Sequence, residues 1–369
     1  LRFIISLNKI DINSLSEDNG YYYSKYDRNS CLHYLCMNPS KSVLISVKYL
    51  TSLPNIDVTI TNSQRETLLH KACSTKNFEL VKYLVSLDKI DLTDLNSDLK
   101  NILHVACKYS TLDIADYLIS FNIIDLDEKD DDEKTILFYA CENQNLEFVQ
   151  FIIKSYKFDL NHKDTKGKTI LHYACERKKF DILLYLISLG NISINTKDNY
   201  GLTILHTTCQ QGAKDIVEYL LSSDKFKITD TDEDGRNILH FAVESGNIEL
   251  VKYIIDLNKI FISKQDLFYF ACTKSSPEMV NYIINLTNIN IASKNYNRQN
   301  ILEALCSLEN PNLNIIKYLI SLDKINISEK DYKNQNLLNI ACSVKSPNID
   351  LIKYLIKLGK LDIQDTIDS

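Results

Sequence analysis

Five times along this chain a histidine stands three residues before a cysteine: His33 and Cys36, His70 and Cys73, His104 and Cys107, His172 and Cys175, His206 and Cys209. Residues three apart share a helix face, and imidazole nitrogen with thiolate sulfur is a zinc donor set. Zinc binding or thiol redox sensing is therefore the first chemistry to test. The exceptions count against it. Cys141, Cys272, Cys306 and Cys342 accompany Phe138, Tyr269, Glu303 and Asn339, and His240 accompanies Val243. A ligand pair should be kept or lost together, so the pattern predicts no metal and no cofactor, with cysteine or valine filling a small core site.

Other motifs fail at single positions. Asp230 to Gly235 begins like a calcium loop, but its twelfth position is Phe241 where a bidentate carboxylate is needed. Gly167-Lys168-Thr169 echoes a phosphate loop, yet His162 stands where its first glycine belongs. Asp125, Asp127, Glu128, Asp130, Asp131, Asp132 and Glu133 form the densest acidic run, a solvated tip or a docking site for a basic partner. No nucleophile is set beside a base and no paired carboxylates occupy a cleft motif. The expectation is a chain that is not an enzyme.

The elements that position these residues repeat. Nine of the ten cysteines share one register of a pentapeptide such as Leu69-His70-Lys71-Ala72-Cys73, and Cys73, Cys107, Cys141, Cys175 and Cys209 lie 34 residues apart. Such a period means stacked small units, each packing on its neighbours. Two residues before the leucine position stand Ser30, Thr67, Asn101, Thr135, Thr169, Thr203, Asn237, Asp266, Asn300 and Asn336. Every one can accept a hydrogen bond from first-turn amides, which predicts ten helix N-caps in register. A second, longer helix follows, with an apolar stripe such as Ile182, Leu183, Leu186 and Leu189 that is expected to be the buried spine. It carries a recurring ring at Tyr49, Tyr83, Tyr117, Phe151, Tyr185, Tyr219, Tyr253, Tyr282, Tyr318 and Tyr354. The phenylalanine shows that the ring matters more than the hydroxyl.

The turn Asp164 to Thr169, its counterpart Asp198 to Thr203, and the Leu-His-x-Ala that follows each resemble the ankyrin repeat. The resemblance covers residues 30–369 and implies an all-α solenoid of stacked helix-turn-helix units with hairpin-like tips. It also implies structural roles for Thr67, His70, Thr169, His172, Thr203 and His206, with each histidine bonding near the N-cap and the neighbouring tip. Departures are regular: isoleucine or leucine replaces the family's proline in most copies, and the tip glycine persists only at Gly167, Gly201 and Gly235. The period also fits tetratricopeptide repeats, but their tryptophan is absent, since the chain has none.

Residues 1–29 read as a partial repeat plus an insertion holding Tyr21, Tyr22, Tyr23 and Tyr26, and 30–369 as about ten repeats. The opening Leu1-Arg2-Phe3 matches the middle of a repeat, which reads as a fragment of a longer protein. Pro39, Pro311 and Pro347 fall in lengthened turns between paired helices, and the tip before Leu267 is five residues short.

A net charge of -6 with no basic cluster argues against nucleic acid, and apolar runs are too short to span a membrane. Helices in contact lie about 8–10 Å apart, beyond the roughly 7 Å limit for bonded cysteines. Free thiols suit a reducing, cytoplasmic compartment. The function expected is a monomeric scaffold or adaptor that binds a protein partner through a concave surface of tips and first helices. Contact candidates are Tyr109, Asp131, Asp132, Glu142, Arg177, Tyr200 and Gln211, at positions that vary between copies. The alternative, from the enzyme class, is a substrate-targeting arm of a larger enzyme or ligase.

Overall fold

The computed structural model describes residues 13–16, 28–143, 145–223, 225–294, 299–331 and 333–359. Tyr21, Tyr22, Tyr23 and Tyr26 lie outside the described residues. The chain divides into two compact units, Leu1–Asn199 and Tyr200–Ser369. Among the described residues each consists of helix pairs with no strand.

In the first unit the pairs are α1 (Cys31–Cys36) with α2 (Val43–Thr51), α3 (Leu68–Cys73) with α4 (Phe78–Val85), α5 (Ile102–Tyr109) with α6 (Leu112–Ile119), α7 (Ile136–Asn143) with α8 (Leu146–Ser155), and α9 (Ile170–Glu176) with α10 (Phe180–Ser188). In the second they are α11 (Ile204–Gln210) with α12 (Lys214–Leu221), α13 (Ile238–Ser245) with α14 (Ile248–Asp256), α15 (Lys264–Lys274) with α16 (Pro277–Thr287), α17 (Ile301–Cys306) with α18 (Leu313–Ser321), and α19 (Leu337–Ser343) with α20 (Ile349–Lys357). Within each unit the first helix of a pair packs on the first helix of the next.

The first helices begin where their caps stand. Ser30, Thr67, Asn101, Thr169, Thr203, Asn237, Asn300 and Asn336 are N-caps in extended conformation, and Thr135 immediately precedes α7. Asp266 is the exception. It lies inside the first turn of α15, whose cap is Ser263, with the Asp266 N–H donating to Ser263 Oγ at 3.0 Å. The shortened connection explains the shift: with too few residues to build a tip, the chain enters its helix one turn early. The turns holding Pro39, Pro311 and Pro347 do lie between paired helices.

Burial reverses the expected roles of the two helices. Every residue of α3 is buried, as is α7 from Ile136 through Glu142. By contrast α4 buries only Leu80, Val81 and Leu84, and α8 only Phe148, Val149 and Ile152. The first helix is the spine because it is covered by its own partner and by first helices on both sides; the second exposes its outer face. A wide apolar stripe marks a helix with one covered face, whereas burial all round leaves no stripe to detect. The second-helix rings are half-buried at the margin, apart from exposed Tyr219. Tyr318 Oη donates to Asn281 Oδ1 at 2.8 Å, and Tyr117 meets Phe78 edge-on at 5.5 Å.

The tips are tight turns folded around one buried carboxylate or amide. The Asp164 N–H donates to the Lys168 carbonyl at 2.9 Å, while Asp164 Oδ1 accepts from the amides of Lys166 and Lys168 at 3.0 and 2.7 Å. The turn needs a left-handed residue at its fourth position, which Gly167 supplies at φ 73°. Arg65, Leu99 and Glu133 adopt the same conformation at 56°, 58° and 62°, so loss of the glycine in those copies left the turn intact and strained. Successive tips are joined by single backbone bonds: Ser97 N–H to the Gln64 carbonyl at 2.8 Å, Asp131 to Asp98 at 3.0 Å, Thr165 to Asp132 at 2.9 Å, Asn199 to Lys166 at 2.9 Å.

Candidate functional site

The histidines bond to their own caps and, in several repeats, to the next tip. His70 Nδ1 accepts from the Thr67 N–H at 3.3 Å and the Thr67 hydroxyl at 2.8 Å. With Nδ1 accepting, the proton sits on Nε2, which donates across to the Lys100 carbonyl at 3.0 Å in the next repeat's tip. His33 and His206 make the equivalent bonds to Glu66 and Asp230, at 3.0 and 3.1 Å, and His104 Nε2 reaches Lys134 at 3.2 Å. Thr169 and His172, like Thr203 and His206, form the same reciprocal cap. Burial lowers the affinity of His70 for a proton and takes His104 down to about 4.

The register cysteines are unbonded, and all but Cys342 are buried. Burial pushes the thiols of Cys36, Cys107 and Cys306 up to about 12, and those of Cys73, Cys141, Cys209 and Cys272 upward as well. A protonated thiol is neither a nucleophile nor a metal ligand. The described residues hold one close group of three or more donor side chains, Asp130, Asp131 and Asp132. It contains no histidine or cysteine, and Asp130 serves the tip, accepting from the Asp132 and Lys134 amides at 3.0 and 2.8 Å. Asp232 is used in the same way, with Arg236 on its second oxygen at 2.7 Å.

Chemistry able to meet a partner collects on the tip and first-helix face of the first unit. A groove of about 330 Å³ is lined there by Lys71, Asn96, Lys100, Lys108, Tyr109 and Tyr139, among others. Tyr139 Oη donates to the buried Asp130 Oδ2 at 2.5 Å, and Tyr173 Oη to the buried Asp164 Oδ2 at 2.8 Å. Desolvation raises both phenols, and the carboxylate each one faces raises them further. Around the Tyr139 ring stand Lys100, Lys108 and Lys134, at 5.8, 5.6 and 5.9 Å from its centre. Burial alone would lower the Lys100 ammonium; the Asp98 hydrogen bond and the charges of Asp98, Asp130 and Asp131 outweigh it and raise it.

Of the expected contact residues, Tyr109 is 49% exposed at the end of α5 and lines this groove. Asp131 is exposed on its tip, while Asp132 is half-buried and paired with Lys134 at 3.1 Å. Glu142 is 9% exposed beneath Arg177, which it holds in an ion pair, and the Arg177 side chain faces solvent. In the second unit Tyr200 is 60% exposed on a tip and Gln211 is half-buried at the end of α11. Tyr139 and Tyr173 were not anticipated. Register marks them only in part: each follows its tip aspartate by nine residues, but Asp198 and Asp232 are followed there by Thr207 and Phe241.

The comparisons with known proteins agree with this architecture. A family model described as ankyrin repeats (3 copies) matches residues 2–96, 32–130, 103–198 and 189–266. The crystal structure of the human ASB11 ankyrin repeat domain is similar in fold at 17% sequence identity, with a TM-score of 0.53, covering 64% of this chain and all of that one. A search of curated proteins finds no match.

Proposed function

Because the chain belongs to the ankyrin-repeat family, whose repeats generally act as protein-interaction modules, we propose that it is a non-catalytic scaffold gripping a protein partner by its tips and first helices. The observation that carries the reading is the groove beside Tyr109, where exposed Tyr109 and half-buried Lys108 stand on a frame of caps and tips. Tyrosine and arginine are the side chains that most often dominate interface energetics, so Tyr109, Arg177 and Tyr200 are taken as contacts, with Asp131, Asp132, Glu142 and Gln211 at their sides. Protonated buried thiols and cap-bound neutral histidines support a chain that performs no reaction itself. Unbonded cysteines support residence in a reducing compartment. No helix among the described residues is long and apolar enough to cross a membrane.

A photo-crosslinking amino acid placed at Tyr109 or Tyr200 should capture a protein that the same group at Ile45, exposed on the second-helix side of the first repeat, does not. Alanine at Tyr109, Arg177 and Tyr200 together should release that protein. Equal capture from Ile45, or full binding by the triple variant, would refute the assignment. Sedimentation of the free chain checks the monomer that the reading assumes.

A further inference from the structure

The groove contains one cation, Lys108, that no carboxylate among the described residues neutralises. Lys71 is paired with Glu66, Lys100 with Asp98 at 2.9 Å, and Lys134, beside the groove, with Asp132 at 3.1 Å. Lys108 has no ion-pair partner among the described residues. Its Nζ stands 5.0 Å from the Tyr109 ring centre and 5.6 Å from that of Tyr139. Ring faces attract an ammonium more weakly than an anion able to accept a charge-assisted hydrogen bond. Lys108 is half-buried and lines the groove, with its ammonium beside two rings and no carboxylate partner among the described residues.

We propose that this groove binds an extended acidic peptide segment of a partner protein, with an aspartate or glutamate carboxylate on Lys108 and an adjoining apolar side chain against Tyr109. The assignment rests on the scaffold reading above and gives it a ligand chemistry. Charge complementarity argues for the acid: three lysines line the groove against two carboxylates, a local excess of positive charge on a chain of net charge -6. Size argues for a peptide. A volume of about 330 Å³ is at the small end for ligand sites, enough for a few side chains, and Met37, Val105 and Tyr109 give it apolar surface. A nucleic-acid backbone fits poorly, because successive phosphates need several free cations and two of the three groove lysines are already paired with Glu66 and Asp98.

The test is selection of a random dodecapeptide display library on the whole chain, followed by fluorescence anisotropy of the enriched peptides. Enriched sequences should share an acidic residue next to an aliphatic or aromatic one. Changing that acid to its amide, or Lys108→Gln in the protein, should weaken binding about tenfold or more, while Lys345→Gln, an exposed lysine of the other unit, should leave it unchanged. Lys108→Glu should bind the peptide whose acid has become lysine. Tyr109→Ala is the second variant, expected to weaken binding without moving the melting midpoint. Peptides without a shared acid, peptides indifferent to Lys108→Gln, or Lys108-dependent binding of a polyuridine oligonucleotide tighter than any peptide would each overturn the assignment. The first two leave the scaffold reading standing; a library with no binder at all counts against both.

Discussion

Acidification is expected to unlock the link between repeats at His104. This imidazole is buried, with Nε2 on the Lys134 carbonyl and Nδ1 turned to its own cap at Asn101. Desolvation lowers its proton affinity; the bond to Lys134 and the charge of Asp130 oppose that and Lys100 adds to it, leaving a value of about 4 against an ordinary 6.5. The sign follows from which state binds protons. Above the ordinary value neither the folded nor the unfolded chain protonates this ring, and its contribution is complete. Between 6.5 and 4 the unfolded chain takes up a proton that the folded chain refuses, so stability falls as pH falls. A difference near 2.5 units corresponds to about 3 kcal/mol across that window. The assay is urea unfolding followed by circular dichroism at about pH 7 and about pH 4.5, in the native chain and in His104→Gln. Glutamine suits the same capping-box position and does not titrate, so the readout is the difference in pH dependence and not absolute stability. The native chain should lose about 2–3 kcal/mol more than the variant on acidification. Equal losses in the two proteins would refute the account of a neutral, desolvated histidine.

Three further outcomes follow from the tips, the buried hydroxyls and the thiols. Leu99 holds a left-handed conformation at φ 58° with its side chain 45% exposed, so Leu99→Gly should stabilise the first unit by about 1 kcal/mol, seen as a raised melting midpoint. Tyr139→Phe leaves the buried Asp130 Oδ2 without the hydroxyl it accepts from and should destabilise by about 1–3 kcal/mol in urea, whereas Tyr318→Phe, whose bond is exposed, should do little. Among the cysteines Cys31 and Cys342 are exposed, so a thiol reagent should modify those two quickly and the remaining eight only as the chain unfolds; rapid reaction of Cys107 would contradict its burial.

The frame was legible because its devices depend on residue type at fixed spacing. A hydroxyl or amide three residues before histidine is a reciprocal cap wherever it occurs, and nine of the ten expected helix starts hold. Asp266 misled because it has a capping side chain in the right register, while the missing tip, visible in the same count, moved the helix start back to Ser263. The relative burial of the two helices was not legible from periodicity: a one-faced stripe draws attention to α4 and α8, while α3 and α7 are covered on every side and include His70, Lys71 and Glu142. Lys71 is buried by its ion pair with Glu66, a pairing visible only once the tip is folded against the helix. The groove was half legible. Tyr109 was marked by its variable position, but Tyr139 sits inside the repeating pentapeptide and reads as frame until its bond to Asp130 brings it to the groove wall.

The same devices show one junction of the second unit where coupling between neighbours is reduced. A repeat array is held by nearest-neighbour terms, and two of them act through the tips: the backbone bond between successive tips and the histidine bond to the next tip. Between the repeat of α11 and that of α13 both are made, by the Glu233 N–H to the Tyr200 carbonyl at 3.0 Å and by His206 Nε2 to Asp230 at 3.1 Å. The repeat of α15 has no tip to receive either. His240 Nδ1 still faces its cap, but among the described residues its ring bonds to no carbonyl of the next repeat and meets Phe270 edge-on at 4.9 Å. Two hydrogen bonds at roughly 1 kcal/mol each make this junction about 2 kcal/mol weaker than the one before it. Native-state hydrogen exchange should therefore show the amides of α15 and α16 opening at a free energy lower by about that amount than those of α13 and α14. Equal protection of the two pairs would mean that packing of α13 on α15 replaces both lost bonds, and that the tips contribute less to the array than their geometry implies.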